Sequence, residues 1–461
     1  MKIFFTVVLF SFSVYFISWV VVYSLRINKL AIQSEDTIPA MFLPVTILKE
    51  GTFYANTYYN LIKYKFPNPE DKNFEKGLVP FYFKKVGNNY ISAFPVITPF
   101  LAIPVYLFLI LLNLPITFNN LIIFSHISSS LIVAFTGGFF YLLLQKHYSD
   151  FLAKKHILLL TFIFLFSTVN FPLISQALWQ QGSLQLFLIL GLLFLFEKHK
   201  FIYLNIFLSS LFFGFAVLSR PTAIFYIPFL FLLFLNGFTK DFKLILYKLL
   251  SYTLGFIPPT VFFIWYNNIF YKSIQNQGYA VQLLSGWLSK FPEGFLGIWF
   301  SPSKGILIYS PVFIFSILGL IVVLKRKKWR EDLQFVIFGC IVIVHTLVLG
   351  RWKHWYGGWS FGYRMSSDII PFLVLLLIPY LNSKIFVKTK KLFYVLCAVS
   401  TLIQASGMVF FDGIWHAAYD KGFKNTSWLW SIKDSEAVFN IRRILVKLGL
   451  IERACPKCMP S

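Results

Sequence analysis

A pair of adjacent carboxylates follows the first apolar run of the chain. Glu35 and Asp36 stand in the segment SEDTIPA at 34–40. A solvated aspartate is ionised at neutral pH, so Asp36 could accept a proton from an attacking hydroxyl group or bind a cation. The same residues also make a good helix start, because Asp suits the cap position and Pro suits the first turn. The pattern therefore fits a catalytic acid pair and also a solvated helix cap.

An indole and two amides stand together in the segment QALWQQGS at 176–183. Trp179 could stack on a sugar ring, and Gln180 and Gln181 could hydrogen-bond its hydroxyl groups. A tryptophan belt at a membrane surface would give the same pattern. The segment is therefore a candidate sugar-binding site, with an interfacial aromatic belt as the alternative.

Two isolated cations precede apolar runs. Arg220 lies in the segment SRPT, and its fork of donors is suited to phosphate. Lys304 lies in the segment SPSKG, where the N–H groups of a following helix could help it to bind an anion. Both could equally be long side chains that reach from the membrane towards water.

The segment RWKHWYGGWSFGYR at 351–364 is the densest group of aromatic, cationic and glycine residues. Arg351, Trp355, Trp359 and Arg364 suit a sugar phosphate, and the glycines allow the backbone to turn sharply. His354 alone does not predict a metal site, because a metal needs several ligands. No metal site is assigned, although the carboxylates at 35–36 would permit a divalent cation.

The composition predicts a membrane protein. Hydrophobic residues make up 57% of the 461 residues and charged residues 13%. The mean hydropathy is +0.70. The net charge of +24 does not indicate nucleic-acid binding, because the basic residues cluster in short connections between apolar runs. A soluble chain would carry far more charge on its surface.

Twelve apolar runs are candidates for membrane spans, since about 20 apolar residues are needed to cross a bilayer. They lie at 3–25, 92–114, 119–144, 157–174, 183–196, 201–219, 222–236, 246–267, 306–324, 333–350, 369–382 and 392–411.

Lysine-rich connections fix the expected orientation, because such connections stay in the cytoplasm. They alternate correctly with an N-terminus inside if the run 92–114, which contains Pro95, Pro99 and Pro104, is interfacial or re-entrant. We therefore expect an all-α bundle of eleven spans, within a range of ten to thirteen. If 92–114 spans instead, the N-terminus lies outside. In the eleven-span arrangement the first outer loop is 26–118, and 412–461 is an outer amphipathic segment.

In order and position, these motifs resemble the GT-C superfamily of membrane glycosyltransferases, which use lipid-phosphate sugars. Within it, the chain is most similar to bacterial relatives of protein O-mannosyltransferases and of the aminoarabinose transferase that modifies lipid A. The resemblance covers 1–411 and rests on the segments 36–40, 48–51, 87–104, 175–182, 219–221, 300–311 and 355–364.

The resemblance implies a catalytic carboxylate in the first outer loop, which corresponds to Asp36, with Glu35 beside it. It also implies a polyprenyl-phosphate sugar as donor, and a lipid, glycan or protein as acceptor. Inverting transfer would occur at the outer face of the bacterial cytoplasmic membrane. The chain departs from its relatives in the order Glu35-Asp36 and in carrying Gln181 where relatives often have His.

A second class of function uses the same residue types. A transporter or scramblase of lipids or lipid-linked sugars would bind headgroups through aromatic and cationic side chains without a general base. The sequence shows no inverted repeats, which are common in secondary transporters. Cys455 and Cys458 form a single C-x-x-C, which is half a zinc site or a potential disulfide; without a second pair, a structural or incidental role is favoured.

Overall fold

The structure is a computed structural model. It describes residues 1–25, 34–59, 79–197, 201–235, 242–274, 291–326, 328, 331–420 and 425–452. Several predictions concern residues outside this part of the chain. These are the lysine-rich positions 198, 200, 240, 327 and 330, and the two C-terminal cysteines.

The regular elements of the N-terminal half are mostly α-helices. Their bounds are α1 Lys2–Ser24, α2 Ile38–Glu50, β1 Phe83–Val86, β2 Asn89–Ser92, α3 Ile97–Leu111, α4 Phe118–His147, α5 Lys154–Phe166, α6 Gln180–Leu195, α7 Ile202–Ser219, α8 Ile227–Leu235 and α9 Phe242–Tyr266.

The C-terminal half continues with helices, several of them short. Their bounds are α10 Glu293–Phe300, α11 Ile306–Tyr309, α12 Ile314–Arg326, α13 Leu333–Gly350, α14 Ile370–Leu375, α15 Leu377–Leu381, α16 Lys384–Phe410, α17 Ile414–Tyr419 and α18 Glu436–Lys447. Short 3-10 helices cover Glu35–Thr37, Ile174–Gln176, Pro221–Tyr226, Pro311–Phe313, Arg364–Ile369 and Ser427–Trp430.

Within the described residues, seven helices are long and apolar enough to cross a membrane. These are Lys2–Ser24, Phe118–His147, Ile202–Ser219, Phe242–Tyr271, Leu333–Gly350, Arg364–Leu381 and Lys384–Phe410. The prediction of an all-α, multi-pass membrane protein is therefore confirmed.

The remaining apolar runs form shorter or broken helices. The run 157–174 is α-helical only as far as Phe166. Beyond it, the Ser167 hydroxyl shares a hydrogen bond with that of Thr401, and the Thr168 hydroxyl donates to the carbonyl of Phe164. The run 306–324 is interrupted at Pro311, whose ring prevents a continuous helix and lets a 3-10 turn form. These interruptions bring polar backbone and hydroxyl groups to one end of the helices.

The proline-rich run at 92–114 is preceded by a small hairpin that the sequence did not reveal. Strands β1 and β2 pair antiparallel, with Phe83 opposite Ser92. Helix α3 then has 15 residues, a length of about 22 Å against a hydrocarbon core of about 30 Å. Its buried face packs on α2 and α4, where the Tyr106 hydroxyl donates to the carbonyl of Met41 at 2.9 Å.

Close helix contacts are made through small residues. A Cβ atom at Gly191 would lie 2.3 Å from the ring of Phe213, and one at Gly319 would lie 2.0 Å from the carbonyl oxygen of Leu376. The glycines therefore set how closely α6 packs on α7 and α12 on α15. In the segment Arg364–Leu381, 89% of the residues are buried, so this segment lies inside the bundle.

Candidate functional site

Ser34, rather than Asp36, caps the helical segment that follows it. The Ser34 hydroxyl accepts from the backbone N–H of Asp36 at 3.4 Å, and its carbonyl accepts from that of Thr37 at 3.1 Å. The segment therefore begins a helix, as that interpretation predicts, but the capping residue is Ser34, two positions before Asp36. The carboxylate of Asp36 is left to make other contacts.

That carboxylate forms an ion pair across the molecule. Arg364 Nη1 donates to Asp36 Oδ2 at 2.7 Å, and the two residues are 328 positions apart in the chain. The side chain of Asp36 keeps 23% of its surface exposed and that of Arg364 keeps 12%. Within the described part of the chain, the second oxygen, Oδ1, accepts no hydrogen bond, so it could receive a proton from a bound molecule.

The guanidinium of Arg364 also lies over an aromatic ring. Its central carbon is 4.7 Å from the centroid of the Trp179 ring system. Arg364 Nε and Trp179 Nε1 are both buried and have no hydrogen-bond partner among the described residues. Leaving a buried donor without a partner costs about 1–3 kcal/mol. Two such donors side by side therefore suggest a place for an acceptor oxygen.

Glycine in the 351–364 segment allows the chain to fold around this arginine. Gly357 has φ of +82°, and a Cβ atom there would lie 3.3 Å from Arg364 Nε. Left-handed backbone of this kind is readily adopted by glycine and strained for other residues. The prediction that these glycines permit a sharp turn is confirmed.

Residues from the neighbouring helix fix the Arg364–Ile369 turn in place. Gln185 Nε2 donates to the carbonyl of Ser367 at 2.8 Å and to Asn170 Oδ1 at 3.0 Å. Gln185 and Asn170 were not singled out from the sequence. An amide inside an otherwise apolar run is a signal that could have identified them. Gln180 is half-buried and Gln181 is buried at the start of α6.

Arg220 forms a second, fully enclosed ion pair on the same turn. Its Nε lies 2.9 Å from Asp368 Oδ2, with side-chain exposures of 8% and 0%. Thr222 donates to the same oxygen at 3.2 Å. The charge of Arg220 is thus compensated inside the protein, and the interpretation as a cation reaching for water is wrong. Asp368, which directly precedes the apolar run 369–382, was not singled out from the sequence.

Lys304 is enclosed under the C-terminal segment. Its ammonium donates to the carbonyl of Ser360 and lies 3.0 Å from His416 Nε2. Only 1% of the residue is exposed, so the alternative of a surface-reaching lysine is wrong. Burial lowers the pKa of Lys304 to about 8, against the opposing effect of Glu436. Burial also raises the pKa of Glu436 to about 7, and nearby Lys304 opposes that rise.

The remaining aromatic candidates pack beneath the same segment. Trp355 lies against Gly297 of α10 and is 6.4 Å from Trp430 between ring centroids. Trp359 Nε1 donates to Asp420 Oδ2 at 3.1 Å. Arg351 is exposed, and its guanidinium lies 4.6 Å from the ring centroid of Phe291. These contacts differ from those of Asp36, Arg364 and Trp179, which form the candidate site proper.

A crevice runs beside Trp179. It is lined partly by Thr98, Ser129 and Gly182 and is too narrow to hold a water molecule. Ligand pockets typically measure about 300–1,000 Å³, so a sugar would have to widen it. Thr98 and Ser183 share a hydrogen bond of 2.7 Å at its wall, which gives the crevice polar groups in an otherwise apolar surrounding.

The described residues contain no group of three or more His, Cys, Asp or Glu side chains placed to hold a metal ion. Glu35 stands beside Asp36 in the same 3-10 turn, and both are half-buried. Comparisons of the sequence with protein-family models and with curated proteins give no match.

Proposed function

We propose that the protein is a glycosyltransferase that moves a sugar from a polyprenyl-phosphate donor to a hydroxyl acceptor. The observation that carries this proposal is the group formed by Asp36, Arg364 and Trp179. It combines a carboxylate oxygen and a guanidinium N–H that have no hydrogen-bond partner among the described residues with an indole face beside the guanidinium. The resemblance described above supplies the identity of the donor and the inverting outcome.

Asp36 acts as the general base in this proposal. Its Oδ1 takes the proton of the acceptor hydroxyl while that oxygen bonds to the anomeric carbon. The bond from the anomeric carbon to the phosphate oxygen breaks, and its electron pair leaves with the phosphate. General-base assistance of this kind is worth about 10²–10⁴-fold in rate. The Arg364 contact to Oδ2 holds the carboxylate so that Oδ1 faces the acceptor.

Arg364 also stabilises the departing phosphate. A leaving group that is already a phosphate needs compensation of charge more than a proton. Arg364 Nε is buried and unpaired among the described residues, so it can bind a phosphate oxygen without losing an existing contact. Arg220 and Lys304 are less suited to this role, because Asp368 and Ser360 already occupy them.

The first test is transfer by purified protein in vesicles that contain labelled polyprenyl-phosphate sugars. Asp36→Asn is expected to reduce transfer by about 10²-fold or more, while insertion and thermal stability stay near those of the native chain. Asp150→Asn is the matched control, since Asp150 is an exposed acid in a helix connection. It should leave transfer unchanged.

Two outcomes would contradict the proposal. Full transfer by Asp36→Asn would remove this residue from the base role. Movement of the labelled lipid across the bilayer, with no product formed by native protein, would instead support a transporter or scramblase.

The topology that accompanies this function is a GT-C-like bundle of eleven spans with the N-terminus in the cytoplasm of a bacterium. The candidate site then faces outward. The hairpin that precedes α3 and the proline inside this helix support a re-entrant segment.

A cysteine-labelling experiment tests this orientation. In a background without the native cysteines, Leu114→Cys, between α3 and α4, should react with an impermeant thiol reagent added to intact cells. Glu331→Cys, in the basic connection between α12 and α13, should react only after the cells are opened. Both positions are exposed, so differences in reaction report the side of the membrane. Labelling in the reverse pattern would overturn the proposed topology.

A further inference from the structure

Apart from Phe439, which packs on the core, helix α18 turns polar residues towards the bundle and apolar residues outward. Glu436 and Asn440 point inward, with 1% and 6% of their surfaces exposed. Ile441 and Leu448 share the outward face, seven positions apart, and are 54% and 66% exposed. In a soluble fold the apolar stripe of such a helix faces the core. The reversal indicates that the outward face meets an apolar surrounding.

Hydrogen bonds hold the helix in this orientation. The Tyr309 hydroxyl donates to Glu436 Oε2 at 3.3 Å. Arg443 makes a two-pronged contact with Asp412, with Nη1 to Oδ1 at 3.1 Å and Nη2 to Oδ2 at 2.5 Å. Both contacts lie on the inward side. Rotating the apolar stripe into the protein would break them and expose a buried carboxylate.

The contact to Asp412 also sets the depth of α18 relative to the membrane. Asp412 lies two residues after Phe410, the last residue of the 27-residue helix α16. Helix α16 is long and apolar enough to cross a membrane. Arg443 therefore ties α18 to the level at which this helix leaves the hydrocarbon layer. Leu450, with 67% of its surface exposed, extends the apolar face beyond the end of α18.

We propose that α18 lies in the interfacial layer of the phospholipid bilayer that surrounds the bundle. Ile441 and Leu448 are placed among the upper acyl chains. Arg442, whose side chain is 42% exposed and 3.9 Å from Asp434, reaches lipid phosphate groups at the edge of the stripe. Helices with one apolar and one basic face bind membrane surfaces in this way. Glu436, which lies near Lys304, belongs to the same helix. A movement of α18 relative to the lipid would therefore also move the segment that encloses Lys304.

The test places an environment-sensitive fluorophore on single cysteines in the full chain, in a background without the native cysteines. The protein is reconstituted in nanodiscs of phosphatidylethanolamine and phosphatidylglycerol, with and without nitroxide-labelled phosphatidylcholine. Ile441→Cys and Leu448→Cys should show blue-shifted emission and quenching about two-fold or more above that at the control position, Glu331→Cys. Glu331 has a side chain that is 70% exposed, and its probe should be quenched mainly by aqueous iodide.

Two results would overturn this proposal. Equal iodide quenching at 441 and 331, without nitroxide quenching at 441, would place the apolar face in water. Disulfide cross-linking between copies at 441, rising with the protein-to-lipid ratio and replacing nitroxide quenching, would assign the face to a second copy of the chain. Both readouts are independent of transfer activity, so they hold whether or not the proposed function is correct.

Discussion

At the scale of single residues, two ion pairs on one turn differ in environment and therefore in role. The Arg220–Asp368 pair is almost fully enclosed, whereas the Arg364–Asp36 pair retains partial exposure. An enclosed pair excludes ligands and fixes geometry, because separating its members leaves an uncompensated charge. A partly open pair can exchange contacts with a bound molecule.

The enclosed pair leads to a prediction about stability. Arg220→Leu is expected to destabilise the protein by about 3–5 kcal/mol, because Asp368 is left as an unpaired buried carboxylate. The double variant Arg220→Leu with Asp368→Leu should recover much of that loss, since no charge remains buried. Thermal unfolding in detergent, followed by circular dichroism, measures both variants. A double variant less stable than the single one would contradict this account.

The sequence identified Arg220, Arg364 and Asp36 as candidates, but it revealed neither ion pair, and Asp368 was not singled out. Arg220 and Arg364 stood out as cations beside apolar runs, where a charge is costly and needs a reason. Asp36 and Asp368 are 328 and 148 positions from their partners, respectively. Contacts at such separation depend on tertiary packing, which a single sequence does not reveal. Residue types were therefore predictable, and pairings were not.

At the scale of elements, breaks in helices carry the candidate site. The turn Arg364–Ile369 supplies Arg364 and Asp368, and Pro221–Tyr226 begins directly after Arg220. In a membrane, non-helical backbone is tolerated where it is buried in protein or lines a cavity. Intact helices that pack closely around these non-helical segments hold them in place.

Helix contact through Gly319 gives a prediction at this scale. Gly319→Ala would place a methyl group 2.0 Å from the carbonyl oxygen of Leu376, so α12 must move away from α15. We expect a loss of about 1–3 kcal/mol in stability. Gly182→Ala is the matched control, because its methyl group would meet Ile132 and Ile174 at an ordinary 3.5 Å. Thermal unfolding of both variants tests this, and equal stability of the two would refute it.

Element positions were predictable where apolar runs were long and uniform, as in α1, α4 and α16. Prediction failed where the chain changes structure inside an apolar run. The apolar run 306–324 was predicted to be one span, but the structure has a 3-10 turn at Pro311 between two helices. The hairpin β1–β2 was also missed, since its eight strand residues lie in a loop that lacks strong alternation.

At the scale of the whole molecule, the C-terminal segment encloses ionisable groups from distant parts of the chain. Lys304 lies near Glu436, Asp420 and Arg364, and contacts His416. Burial lowers the pKa of His416 well below its ordinary value, so this ring stays neutral near pH 7. The electrostatic balance therefore rests mainly on Lys304 and Glu436.

This arrangement predicts a minimum of stability between about pH 7 and pH 8. Glu436 has a pKa raised from 4.5 to about 7, so the folded state holds more protons there and stability falls as pH rises through that range. Lys304 has a pKa lowered from 10.5 to about 8. The unfolded state then holds more protons above pH 8, and stability rises again. Thermal unfolding midpoints across pH measure this profile.

Single substitutions separate the two limbs of the profile. Glu436→Gln should flatten the change below pH 7, and Lys304→Met should flatten the change above pH 8. The exposed pair Lys328→Met and Glu331→Gln, with side chains 61% and 70% exposed, should leave both limbs unchanged. Identical profiles for native protein and both buried variants would show that these groups do not control stability.

The tryptophans beneath the C-terminal segment make it optically distinct. Of the 12 tryptophans in the chain, Trp355, Trp359, Trp415, Trp428 and Trp430 gather in this region. The ring centroids of Trp415 and Trp428 are 4.7 Å apart, close enough for their excited states to couple. This pair should therefore contribute a strong signal to the near-ultraviolet circular dichroism of the protein. A spectroscopist can follow detachment of the segment from the bundle without any added label.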